Sequence, residues 1–503
     1  MAARGRPLGV VAAGHPLSAE AGASALRDGG NAVDAALGAM LASFACEPLL
    51  TGLGAGGYML VVAPDAEPVL LDFFVEAPGR GADASARSEL IPISVSFGDA
   101  VQLFNVGPAS VGSFGMPAGI CEASRRFGRI GLERLVAPAA ALARDGVELN
   151  AQQAYIVEIL GGIVTSTPEA SALFAPSGRL LRAGERIRQP ELGDALERLA
   201  AEGSEPFYDG DIAAAIVSWL GARGGLLTAA DLRAYQVVDR APLAVPYRGR
   251  TVLTNPPPSA GGILIARALA SLDRLGAAPD AAALVEVMAA TQRERTPEFL
   301  EGLDDPAFVR RFLSSGGGRL GSTTHIAALD TDGWACSVTC SAGSASGVIV
   351  PGTGVHLNNM LGEQDLNPLG FHRYPPGRRM PSMMSPTIVL GSGPSRSPEL
   401  AVGSAGSNRI RSAVLQTIVR CVDDGMCAQD AIDAPRLHYE DEIVYAEPGI
   451  DIQALERAGW TVSRFRDRNL FFGGAQAVMR VGPDGFSGGG DPRRGGAAIV
   501  VAG

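Results

Sequence analysis

Two hydroxyl side chains, Thr323 and Ser341, are set to meet across a hairpin that the sequence itself draws. Residues 323–330 alternate on a period of two, Thr331-Asp332-Gly333 is a turn, and residues 334–341 alternate again. Gly333 suits a three-residue loop with a bulge, in which Asp330 faces Trp334. Counting back in that register brings Thr323 opposite Ser341 on one face of the sheet, whereas a slip of one residue would put Cys340 there. A threonine hydroxyl attacks a carbonyl when a base takes its proton. A β-branched residue on a half-buried strand is also ordinary packing, and His325, two residues on, reads as a packed strand histidine rather than as that base.

Other chemistries are excluded by what is missing. The chain has no lysine, so all 42 basic residues are arginine, and Schiff-base, pyridoxal-phosphate and P-loop mechanisms lack their amine. The glycine-rich stretches GLGAGG and GSAGSNR have neither a following lysine nor full dinucleotide spacing, which argues against a phosphate cradle. Five scattered histidines and the absence of H-x-x-E-H and C-x-x-C patterns give no metal site, and no cofactor is expected. Cys336 and Cys340 alternate onto a strand face, where packing is the default for a free thiol.

The elements that would position the hydroxyls belong to a chain of 503 residues, 47% hydrophobic and 19% charged, long enough for a large core. No apolar run reaches the roughly 18 residues of a membrane helix, and no secretory leader is read at the start, so a cytoplasmic protein is expected, with its six thinly spread cysteines (46, 121, 336, 340, 421, 427) reduced. A net charge of −11 with scattered arginines argues against nucleic acid as a partner. Residues 8–13 read as a buried strand and 15–28 as a helix stopped by Gly29-Gly30; a second helix, capped by Asn31, ends before Pro48. Asp34 and Glu47 read as capping or solvated carboxylates of that helix. Strands are expected over the stretch after GLGAGG, over 70–73 and over 247–254, helices within 116–147 and from Thr228, a rigid loop over 255–262, and a flexible connector over 314–321.

Along nearly its whole length the sequence resembles the γ-glutamyltranspeptidase family. HPLSAEAG with GGNAVDAA, then GLGAGGYMLV, FYDGDIA, GGLLTAADLRAY, PPPSAGG, STTHIAALDTDG, LNN, SPTIV and DPRRGGAA are similar to family blocks, in the family's order. The resemblance implies an α+β fold, the four-layer αββα sandwich of N-terminal nucleophile hydrolases. It further implies a precursor cut between Ser322 and Thr323 into a large chain, 1–322, and a small chain, 323–503, which stay together as a heterodimer that can dimerise further. Thr323 takes the nucleophile's place and Ser341 that of its hydrogen-bonding neighbour, with the backbone amides of Gly406 and Ser407 as oxyanion donors. A threonine freed at a chain start can use its own α-amine as base, because that amine's pKa is about 7.7–8.0.

The same comparison exposes departures. Phe74 stands where the family has the arginine that holds the glutamyl carboxylate, Met383 replaces one of two paired serines while Ser382 keeps the other, Met360 replaces a polar ligand of the substrate's amino group, and Glu363 replaces an aspartate. All fall on the part that reads the glutamyl head group. The expectation is therefore an autoprocessing amidohydrolase or acyltransferase whose small-molecule amide carries a less zwitterionic acyl group. The alternatives are a true γ-glutamyltransferase acting on glutathione-like donors, with Arg373, Arg378 or Arg379 supplying the cation, and an uncleaved homologue that only binds ligand.

Overall fold

The computed structural model describes residues 6–82, 89–96, 101–293, 323–364, 366–367, 370–393, 396–406 and 408–503. Its first helices show why the amino-terminal third is built from small residues. The helix Pro16–Arg27 is followed by Ala32–Cys46, every residue of which is buried. A Cβ at Gly22 would come within 2.6 Å of the Ala35 carbonyl oxygen, so the two backbones approach as closely as glycine and alanine permit. Asn31 starts the second helix with a reciprocal cap: its Oδ1 accepts from the amides of Val33 (2.8 Å) and Asp34 (3.1 Å), and Asp34 Oδ2 accepts from the Asn31 amide (2.9 Å).

Two antiparallel sheets lie between helical layers. The seven-stranded sheet runs Ala497–Val501, Gly9–Ala13, Thr324–Asp330, Ala335–Ser341, Gly56–Val62, Val69–Phe73, Val238–Arg240. The six-stranded sheet runs Gly485–Gly490, Gly474–Val481, Pro398–Ala405, Thr387–Leu390, Arg250–Thr254, Leu243–Tyr247. Thr324–Asp330 is buried on both faces, and its alternation sorts the layers. Ile326 and Ala328 join the cluster beneath the amino-terminal helices, while Ala327 and Leu329 join the one between the sheets and under the helices Ala260–Leu275 and Arg409–Val422. This is the expected αββα order.

The sequence misplaced two boundaries. Residues 247–254 form not one strand but a hairpin, because Arg248 (φ 49°) and Gly249 (φ 76°) make a two-residue turn between Leu243–Tyr247 and Arg250–Thr254. The loop read over 255–262 ends early. The helix begins at Ala260, and Gly261 and Gly262 sit inside it because a Cβ there would come within 2.1 Å of the Met383 carbonyl oxygen and 2.0 Å of that of Asn255. The connector over 314–321, Ser322 and Ser407 lie outside the described residues.

Candidate active site

The register of the central hairpin is the one the alternation predicts: Thr324 pairs with Cys340, and the ladder continues to Leu329 and Ala335. Asp330 N–H donates to the Trp334 carbonyl (3.1 Å) at the turn. Extending that ladder by one step sets Thr323 across from Ser341, and both are buried. Because successive side chains alternate, Thr323 lies on the inter-sheet side with Ala327 and Leu329, and Thr324 on the helical side. Ser341 Oγ accepts from the Gly343 amide (2.8 Å).

The segment after Ser341 closes on Glu363. Glu363 Oε1 accepts from the Ser344 amide (2.9 Å), and Asn359 Nδ2 donates to Ser344 Oγ (2.7 Å). Gly343 (φ 67°) has no room for a Cβ, which would come within 1.9 Å of Asn359 Oδ1. Glu363 thus shapes the loop that follows Ser341, a part its type alone did not reveal.

Gly406 sits where the strand Pro398–Ala405 turns into the 14-residue helix Arg409–Val422, with its carbonyl accepting from the Arg409 amide (3.1 Å). Its φ of 113° belongs to glycine, and a Cβ there would stand 2.6 Å from Gly473 Cα and 3.2 Å from Arg494 Nη2. Backbone amides at the start of a long helix are suited to developing negative charge.

The residues expected to read the substrate head group include a closed apolar assembly. Phe74, Met360 and Met383 are at most 1% exposed and share one hydrophobic cluster, and the Phe74 ring stacks on Tyr58 at 5.3 Å between centroids. Ser382 is tied to the backbone: its Oγ accepts from the Met384 amide (3.0 Å) and its carbonyl from the Ala260 amide (2.8 Å). Arg379 is nearby but committed. It donates to the carbonyls of Phe74 and Gln236 and to Tyr235 Oη, and it pairs with Asp72 (3.5 Å) and Glu76 (3.6 Å). Arg378 lies over the Tyr374 ring at 4.7 Å, and Arg373 is exposed.

Sequence reasoning missed Glu47. It is not solvated but buried, and its carboxylate accepts from Thr324 Oγ1 at 3.2 and 3.3 Å. Burial pushes its pKa up to about 7, against the opposing pull of the Thr324 hydrogen bond and the Arg494 charge. Arg494 is itself 8% exposed and lowered to about 10, chiefly by burial. The two line one cavity with Leu49, Leu50, Gln153 and Phe174, without a direct ion pair. The available signal was a carboxylate ending an otherwise almost wholly apolar helix. His325 is core, as expected: burial lowers it to about 3, its Nδ1 meets Thr339 Oγ1 at 2.8 Å and its ring packs on Gly403. Cys336 and Cys340 are buried thiols, and Cys340 Sγ accepts from Thr51 Oγ1 (3.3 Å).

Residues 18–501 match the family model described as gamma-glutamyltranspeptidase. The chain is 31% identical to a glutathione hydrolase proenzyme of Escherichia coli (strain K12), over 96% of this chain and 90% of that one. It is 30% identical to the acylase ACY 1 proenzyme of Pseudomonas sp. (strain SE83), over 91% and 87%. Among solved structures, a cephalosporin acylase from Bacillus halodurans superposes with a TM-score of 0.81 at 26% identity, covering 98% of this chain and 96% of that one.

Proposed function

The chain belongs to the gamma-glutamyltranspeptidase family of amidohydrolases and transferases, and on that premise we propose that Thr323 both cuts the precursor and carries the acyl group. In the first reaction Thr323 Oγ attacks the Ser322 carbonyl, the C–N bond breaks as the ester forms and so frees the α-amine of Thr323, and water then opens the ester to a Ser322 carboxylate and the free Thr323 hydroxyl. In the second, that amine takes the hydroxyl proton as Oγ attacks a substrate amide. The amides of Gly406 and Ser407 meet the oxyanion, the ammonium returns its proton to the leaving amine, and an acyl ester remains for water or an acceptor amine to remove. The hydrogen bond of Ser341 with the Gly343 amide favours this reading, because it orients the hydroxyl that faces Thr323.

Strand order supports a lasting heterodimer of the products 1–322 and 323–503. Gly9–Ala13 of the first is paired on both sides by strands of the second, and Arg250–Thr254 of the first pairs with Thr387–Leu390. Separating the products would break both sheets.

The acyl group is read as non-glutamyl, and the single observation that carries this is the apolar assembly of Phe74, Met360 and Met383 where a zwitterion would need paired charges. The acylase relatives favour the same direction. Comparing γ-glutamyl-p-nitroanilide with butanoyl-p-nitroanilide tests it. The expected result is at least tenfold higher kcat/KM for the neutral acyl group, and a preference for the glutamyl substrate overturns the assignment. A denaturing gel addresses cleavage: wild type should run as two bands and Thr323→Ala as one, whereas an uncut wild type removes Thr323 from both roles.

A further inference from the structure

Glu47 has no part in the scheme above, yet its carboxylate is held one residue from the nucleophile. Thr324 Oγ1 donates to it, and its oxygens lie so close to Gly14 that a Cβ there would come within 2.4 Å of Oε1. A peptide unit spans 3.8 Å between α-carbons, which puts the nitrogen of Thr323 within about 6–8 Å of the carboxylate. In the uncut chain that nitrogen is a neutral amide. Cleavage turns it into a group that carries a full positive charge when protonated.

We propose that Glu47 is a positioning residue of the N-terminal nucleophile: its carboxylate, oriented by Thr324, stabilises through its charge the α-ammonium that cleavage creates on Thr323 and so sets the pH at which that amine becomes a base. The proposal rests on Thr323 being the processed N-terminus. The surrounding elements contain few other charges. Cys46 on the same helix and Cys340 on the neighbouring strand are thiols pushed up to about 12 by burial, and His15, beside Gly14, is lowered to about 4, so all three are neutral near pH 7. Arg494, from the turn before the last strand, faces Glu47 across the cavity and itself feels the charges of Arg409 and Asp491. Arg494 favours the ionised carboxylate and opposes the ammonium, so the carboxylate and the guanidinium act on the amine with opposite signs.

In a partly buried setting, a carboxylate at that distance raises an amine's pKa by about one to two pH units relative to a neutral side chain. Glu47 carries a raised pKa of its own in the uncut chain. The new ammonium favours its ionised form, so the carboxylate is charged over the range in which the amine titrates.

The absence of lysine makes this measurable without a known substrate, because after cleavage the only amines in the protein are the two chain N-termini. Trace acetylation with acetic anhydride between pH 5 and 10 (roughly bracketing the amine's ordinary value), read by mass spectrometry of the small chain's N-terminal peptide, gives the apparent pKa of the Thr323 amine. The expected result is a fall of at least about one pH unit in Glu47→Gln, a smaller fall in Thr324→Val, and near-wild-type behaviour in Glu47→Asp, which keeps the charge. Equal values in wild type and Glu47→Gln overturn the proposal, as does an equal change in the Gln and Asp variants, which marks a purely structural effect. If Glu47→Gln is not cleaved, Thr324→Val carries the test, and an unchanged amine there overturns the proposal. A small chain that begins elsewhere than Thr323 fails the parent reading instead, and the same peptide reports it.

Discussion

Replacing Gly406 with alanine tests the proposed oxyanion role of its amide separately from the proposed nucleophile. The φ of 113° is outside the range a Cβ tolerates, which costs on the order of 1–3 kcal/mol. The added Cβ would also stand 2.6 Å from Gly473 Cα, a backbone atom that cannot rotate away, and overpacking of this kind costs roughly 1–3 kcal/mol more. With unfolding entropy of about 2.1 cal/mol/K per residue over 503 residues, one degree of Tm corresponds to ~1 kcal/mol. The variant should therefore melt about 2–6 °C lower and still fold. Relief of the clash must move the loop, and misplacing one preorganised donor costs ~2.7–4 kcal/mol of transition-state stabilisation, or about 10²–10³ in kcat. The assay is kcat on the better of the two p-nitroanilides, alongside the rate at which precursor disappears on a gel, because the proposed scheme uses the same amides in both reactions. If kcat stays within about threefold of the parent while Tm falls as calculated, the amides at Gly406 and Ser407 do not hold the oxyanion.

Glu47 should also leave a mark on the stability of the uncut chain. Its pKa rises from 4.5 to about 7 on folding, so the folded state keeps a proton that the unfolded state has lost between those values. The associated stability is fully present below pH 4.5 and disappears as pH rises through about 7. That difference is worth ~3 kcal/mol, so the Tm gap between Thr323→Ala and Thr323→Ala/Glu47→Gln should move by about 3 °C in favour of glutamine from pH 4.5 to 8; a constant gap contradicts the burial argument. Arg379→Gln removes the buried guanidinium from Asp72, Glu76 and Tyr235 and should lower Tm by about 3 °C, the loss expected when one partner leaves a buried pair. It should leave the ratio of γ-glutamyl to butanoyl turnover unchanged, and a selective loss of the glutamyl substrate would identify Arg379 as a substrate cation.

Local pattern determined much of this protein. The period-two alternation around Thr331-Asp332-Gly333 defined the hairpin and its register, because a one-residue slip would exchange the two faces of a strand buried on both. Asn31 and Asp34 announced the helix start through a cap closed within four residues. The ordered family blocks pointed to the αββα fold, Thr323 and the loop at Gly406. What the sequence left open depended on contacts between distant residues. Arg379 was a free candidate cation until folding surrounded it with Asp72, Glu76, Phe74 and Tyr235. Glu47 read as a capping or solvated carboxylate at a helix end because nothing within ten residues reveals that Thr324, 277 positions away, accompanies it into the core. Charge in a protein is judged by what surrounds it, and burial and partners across hundreds of residues are properties of the tertiary structure alone.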